Sequence, residues 1–233
     1  MAGPGSNTIE PTVESFMKML QSFLPGLAVA AAFGLSACGG GGASSSSPPV
    51  TQIGMINVHV TDGPSDEFQH VWVTVKAIAF HTDPNQTWSA TDATWQLTTL
   101  AAPVTIDLTA LNNGQLDSSV FQGITLPAGT YKQIRFFLAS AEAGLTTSAL
   151  DTNDSTGAAL QWNDQVEYLG STGTILEAPL EIAYPIQGIQ LTGTFSVTAN
   201  STLDLAVDFD LEHDIVPFVH DSQTMFTMRP NLH

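Results

Sequence analysis

The chain has 233 residues and carries 22 acidic side chains against 5 lysines and arginines, a formal net charge of −17 at pH 7 with histidine neutral. So acidic a surface repels phosphate backbones and anionic lipid head groups, which argues against nucleic acid as a partner and against membrane adsorption through basic residues. Cys38 is the only cysteine, so no internal disulfide forms and the fold rests on its core.

In chain order, Lys18 precedes an apolar run from Met19 to Ala37, broken by Gln21, Ser22 and Pro25 and ending in small residues. A positive residue, an apolar core and a small-residue finish make an export signal; the interruptions count against a spanning helix. Leu35-Ser36-Ala37-Cys38 resembles the lipobox of bacterial lipoproteins. Residues 1–37 are therefore expected to be a signal peptide, with Cys38 the lipidated first residue of the exported protein. Glu10 and Glu14 do not suit the start of such a signal, and Met17-Lys18 is the expected translation start. Residues 38–49, with four glycines, four serines in a row and Pro48-Pro49, read as a flexible tether. Gly39 in place of aspartate after Cys38 resembles the outer-membrane sorting pattern, so the expected location is the outer membrane of a Gram-negative envelope. Attachment is through acyl chains, which anchor stably when more than one is present.

From residue 50 to residue 233 the periodicity is that of strands. Leu203, Leu205, Val207, Phe209 and Leu211 alternate with Asp204, Ala206, Asp208, Asp210 and Glu212, a strict period of two. The same alternation runs through Ile56-Val58-Val60 and Leu191-Gly193-Phe195-Val197. Such strands bury one face, as antiparallel sheets do. Val71–Phe80 and Tyr131–Leu138 are apolar on nearly both faces and read as central strands. Further strands are expected at Val104–Leu108, Leu160–Tyr168, Thr174–Ile182 and Thr224–Met228, with turn residues between them. Helix is confined to short pieces such as Leu108–Leu111 and Ser118–Phe121. The expected fold is all-β: a single antiparallel β-sandwich, immunoglobulin-like or transthyretin-like, over residues 50–233.

Leu126-Pro127-Ala128-Gly129-Thr130-Tyr131 suggests a corner between sheets, with the Tyr131 hydroxyl tied back to upstream backbone; a plain turn is the equal alternative. At this point the residues resemble a known family, the extracytoplasmic bacterial domain of unknown function 4382. The carriers are Val58-His59-Val60-Thr61-Asp62-Gly63-Pro64, Val71–Val75, Thr105-Ile106-Asp107-Leu108, Leu126–Arg135, Val207–Leu211 and Met228-Arg229-Pro230. Gly63 stands where the family typically has alanine. The resemblance implies a lipoprotein with a β-sandwich and supplies no catalytic residues.

The acidic face of Asp204, Asp208, Asp210 and Glu212 needs something to offset its repulsion. Calcium is one answer, with Asp62, Asp208, Asp210, Glu212 and Asp214 as the candidate ligands. The commoner answer, and the one favoured here, is pairing with Arg135 or Lys76 on a neighbouring strand, with water solvating the rest; no cofactor is then expected. The six histidines form no local pair, so surface roles outweigh a zinc site. Serines and threonines lack a nucleophile elbow, and no pair of carboxylates stands out for glycoside hydrolysis. Lys76 reads as a snorkelling or salt-bridged lysine rather than a covalent cross-link. Trp88 and Trp95 lie in a polar stretch, where aromatic rings stack on sugars or anchor a protein interface, or else pack as a lid. Residues 139–159 form a long polar loop.

The expected function is a lipid-anchored binding or adhesion module for an envelope protein or a glycan, and not an enzyme. The alternatives are a structural or assembly subunit of the envelope, pairing through an edge strand, and, third, a metal-dependent hydrolase.

Overall fold

Alternating burial organises the described residues into twelve strands. The computed structural model describes residues 51–62, 67–111, 117–229 and 231–232. The signal peptide, Met17, Cys38 and the tether lie outside the described residues. The strands are β1 (Ile53–Asp62), β2 (Phe68–His81), β3 (Gln96–Asp107), β4 (Asp117–Pro127), β5 (Gly129–Leu138) and β6 (Gln165–Leu169). They continue with β7 (Ile175–Ile182), β8 (Ile189–Val197), β9 (Thr202–Phe209), β10 (Ile215–His220), β11 (Gln223–Met228) and β12 (Asn231–Leu232). Helical turns occur at Leu108–Leu111, Thr147–Leu150 and Leu211–Asp214.

Two sheets pack face to face without closing into a barrel. One has three strands in the order β4-β1-β9; the other has nine, in the order β10-β11-β7-β6-β2-β5-β8-β12, with β3 also paired to β2. The core between them takes the inward residues of both: Ile56, Val58 and Val60 of β1, Val207 and Phe209 of β9, and Val71, Val73, Val75, Ile78 and Phe80 of β2. Phe136 stands edge-on to Phe121 and Phe209 at 5.7 and 5.5 Å, joining the sheets through aromatic contacts. The fold is thus an all-β sandwich.

Three pairings are parallel rather than antiparallel: β1 with β9, β7 with β11, and β8 with β12. One-sided alternation fixes which face is buried and leaves strand direction open. The helical expectation at Ser118–Phe121 gives way to β4, whose Phe121 sits opposite Val58 and Ile124 opposite Ile56. The register shift there, with Gly123 at φ +66°, breaks the period of two and hides the strand in the sequence.

β2 is the spine of the large sheet. The Thr74 carbonyl accepts from the N–H of Ala139, just past β5, and the Thr74 N–H donates to Asp164 Oδ1, just before β6. The N–H and C=O of one strand residue face the same edge. Hence β5 and β6 meet end to end along one edge of β2, and β3 takes the other. Where β4 of the small sheet turns into β5 of the large one, the Tyr131 hydroxyl donates to the Pro127 carbonyl at 2.9 Å.

Candidate functional site

The outer face of the large sheet is roofed by its own loops. A bulge at Lys76 switches the pleat of β2, so Ala77 and Ala79 face outward and collect Trp95 and Phe137, with Trp88 against them. Trp88 lies 5.2 Å from Trp95 and 4.7 Å from Phe137, ring centre to ring centre. Trp95 is buried and Trp88 half-buried, so both rings are packed against the protein itself. Arg135 anchors this roof. Its Nη1 donates to the Gln187 carbonyl and its Nη2 to Gln190 Oε1, both at 2.7 Å, and the guanidinium lies 5.5 Å from the Trp95 ring centre. Gln133 Nε2 donates to the Pro84 carbonyl beside it.

Arg135 therefore does not face the acidic strand, and Lys76 is exposed at the bulge. The acids of β9 find other partners on β1 and in the turn that follows. Asp204, opposite Asn57, accepts from its amide at 2.7 Å and lies 3.6 Å from His59 Nε2; these two contacts, Asn57 first, hold its carboxyl below the usual range. Asp210 caps the turn Leu211–Asp214 and meets His213 Nδ1 at 2.8 Å, which raises the His213 pKa. Asp62, buried at the end of β1, accepts from the Leu211 N–H at 3.3 Å. Asp214 is buried in the same turn, while Asp208 and Glu212 are exposed. The fold thus gathers Asp62, Asp210 and Asp214 around one helical turn.

Among the described residues, three ligand-bearing side chains converge elsewhere: Asp154, Glu167 and Glu177 each offer an oxygen, all within 4.8 Å of one another. Glu167 on β6 sits directly opposite Glu177 on β7, and Asp154 comes from the loop above. Nothing in the sequence reading singled them out. The usable signal was hairpin symmetry, since Glu167 and Glu177 stand equally far from the turn Gly170-Ser171-Thr172-Gly173-Thr174. Among the described histidines, His70 sits opposite Glu167 on the neighbouring strand β2 and pairs with Asp107 at 2.7 Å, while His81 lies tilted against the Trp95 ring.

A groove of about 270 Å³ opens between β8 and β9 on the side of the sandwich, lined by Leu191, Phe195, Leu205 and Val207 with Thr194 and Ala206 at its rim. Among the described residues, β9 pairs only with β1, and β8 beyond Leu191 pairs only with β5. Two free strand edges therefore flank an apolar cleft. No helix of the described residues is long and apolar enough to cross a membrane.

The family model described as a domain of unknown function (DUF4382) matches residues 53–230, from the start of β1 to just before β12. The chain belongs to that family. No curated protein matches it. Among solved structures, a leucine-rich repeat protein from Bacteroides thetaiotaomicron is 14% identical over 68% of this chain and 12% of its own, with a TM-score of 0.25. The chain spans only that small share of the larger protein, and so low a score carries nothing over to this DUF4382 sandwich.

Proposed function

We propose that this DUF4382 protein is a lipid-anchored binding module of the cell envelope, held by acyl chains on Cys38 and engaging a protein partner through the cleft between β8 and β9. The observation that carries the reading is the pair of free strand edges on either side of apolar residues Leu191, Phe195, Leu205 and Val207. An extended segment docked there gains main-chain hydrogen bonds from an edge and side-chain burial from the cleft, which is recognition by strand addition. Packing of Trp88 and Trp95 against the sheet favours a protein over a glycan, because stacking on a sugar needs a free ring face. The module acts by binding and not by catalysis, and the tether of residues 39–49 gives it reach from the membrane.

The test is capture from detergent-solubilised envelope by the full-length protein, set beside a glycan array. Capture of a defined protein by the wild type, lost when Thr194→Trp fills the cleft from its exposed rim, is the expected result. Glycan binding without protein capture, or capture indifferent to Thr194→Trp, overturns the reading.

A further inference from the structure

Three carboxylates meet on the outer face of the β6–β7 hairpin in an arrangement that costs free energy as it stands. Like charges directly opposite one another on paired strands destabilise a sheet, and Glu167 faces Glu177 in register. Asp154 brings a third carboxylate within the same 4.8 Å. Among the described residues, no lysine or arginine forms an ion pair with any of the three; the ion pairs present all use histidines on other acids.

A separate observation points to a missing ligand. Glu167 has no exposed surface, its Oε1 accepts from the Ser155 N–H at 3.0 Å, and its Oε2 is buried without any hydrogen-bond partner. A buried, unpaired carboxylate oxygen is among the costliest groups a fold can keep, unless a proton or a cation completes it. Asp154 is meanwhile fixed in place. Its Oδ1 accepts from the Thr156 N–H at 2.8 Å, the Thr156 hydroxyl at 2.7 Å and the Ala158 N–H at 2.9 Å.

We propose that Asp154, Glu167 and Glu177 form a calcium-binding site that fastens the loop after the helical turn Thr147–Leu150 to the β6–β7 hairpin. The donor set is all oxygen and anionic, which suits a hard cation and not zinc or copper. Oxygens bound to one calcium ion at 2.3–2.6 Å lie up to about 5 Å apart, whereas magnesium at 2.0–2.1 Å holds its ligands within about 4 Å. The three oxygens lie within 4.8 Å of one another, a span that the larger ion bridges. Gln161, whose amide nitrogen donates to Glu177 Oε2, supplies a fourth oxygen if its amide turns over. Glu177 also lines an open groove with Trp162, Pro179 and Gln223, through which an ion reaches the site.

The experiment uses the full-length protein in detergent, stripped with chelator and then titrated with calcium chloride by calorimetry and by thermal melting. One ion per chain is expected, with the melting midpoint rising by about 5–10 °C at a hundredfold excess over the dissociation constant. Magnesium at equal concentration gives a much smaller rise. Glu167→Gln and Glu177→Gln lose the calcium response, while their calcium-free midpoints equal or exceed that of the wild type because a repulsion has been removed. No heat and an unchanged wild-type midpoint up to about 10 mM calcium, tenfold above the weakest extracellular sites, overturn the proposal. So does a calcium response that survives in both variants.

Discussion

Arg135 is buried on the outer side of β5, where its charge is met by the Gln187 carbonyl, the Gln190 amide oxygen and the Trp95 ring. Burial lowers its pKa. Removing the guanidinium strands those acceptors, so Arg135→Ala is expected to cost about 2–4 kcal/mol in urea unfolding, and Arg135→Lys recovers little because an ammonium has no fork to span both oxygens. Asp164 presents the opposite case, a carboxyl that burial pushes well above the usual range against the pull of the Thr74 N–H and Lys76. Its Oδ2 is buried without a hydrogen-bond partner. A raised folded-state pKa means that the native protein keeps a proton the unfolded chain releases. The stability it contributes is full below the unfolded value, about 3.9, and is lost as pH rises through the folded value. Asp164→Asn, which imitates the neutral acid, is expected to melt higher than the wild type at pH 7 and to flatten the decline in stability between acid and neutral pH. Neither role was legible in the sequence. Arg135 looked like a partner for the β9 acids because nothing local tells which face of a doubly buried strand a side chain takes, and Asp164 gains its role only from Thr74, ninety positions away.

Among the elements, those with an unbroken period of two were readable: β1 buries the residues that alternation picks out, β9 buries Val207 and Phe209 and half-buries Leu203 and Leu205, and β8 buries Val197 and half-buries Leu191 and Phe195. β4 escaped because its bulge disrupts the period, and β10 because Pro217 interrupts an otherwise ordinary edge strand. The Tyr131 hydroxyl ties the β4–β5 corner through the Pro127 carbonyl, and Tyr131→Phe is expected to cost about 1 kcal/mol by urea unfolding with the sheets otherwise intact. β1 begins under a tighter constraint. A Cβ on Gly54 would come within 2.3 Å of the Thr198 carbonyl, so Gly54→Ala has to push the β8–β9 turn away from β1. The expected loss is about 1–3 kcal/mol, the range for overpacking, measured by the same unfolding. The trio Asp154, Glu167 and Glu177 belongs to this scale too: two members are set by hairpin register, and the third by a loop that no periodicity describes.

For the whole molecule, alternation and turn spacing were enough for the sandwich, and family membership follows from the match over residues 53–230. Strand order was not legible, since pairings such as β2 with β6 or β1 with β9 join segments far apart in the chain. The proposed attachment through Cys38 predicts that Cys38→Ser abolishes incorporation of labelled fatty acid and moves the protein out of the membrane fraction. The melting midpoint of the sandwich stays the same, because lipid and core are separate contributions to the molecule. The junction at Thr74 has one more consequence. Chain leaves the edge of β2 at Leu138 and rejoins it at Gln165, both times anchored to the same residue. Residues 139–164 are, in effect, an excursion spliced into what would otherwise be one long strand, with entry and exit side by side. A protein in which that excursion is replaced by a two-residue bridge keeps every pairing of β2, and the excursion itself is a place where this fold accepts new sequence without renegotiating its sheets.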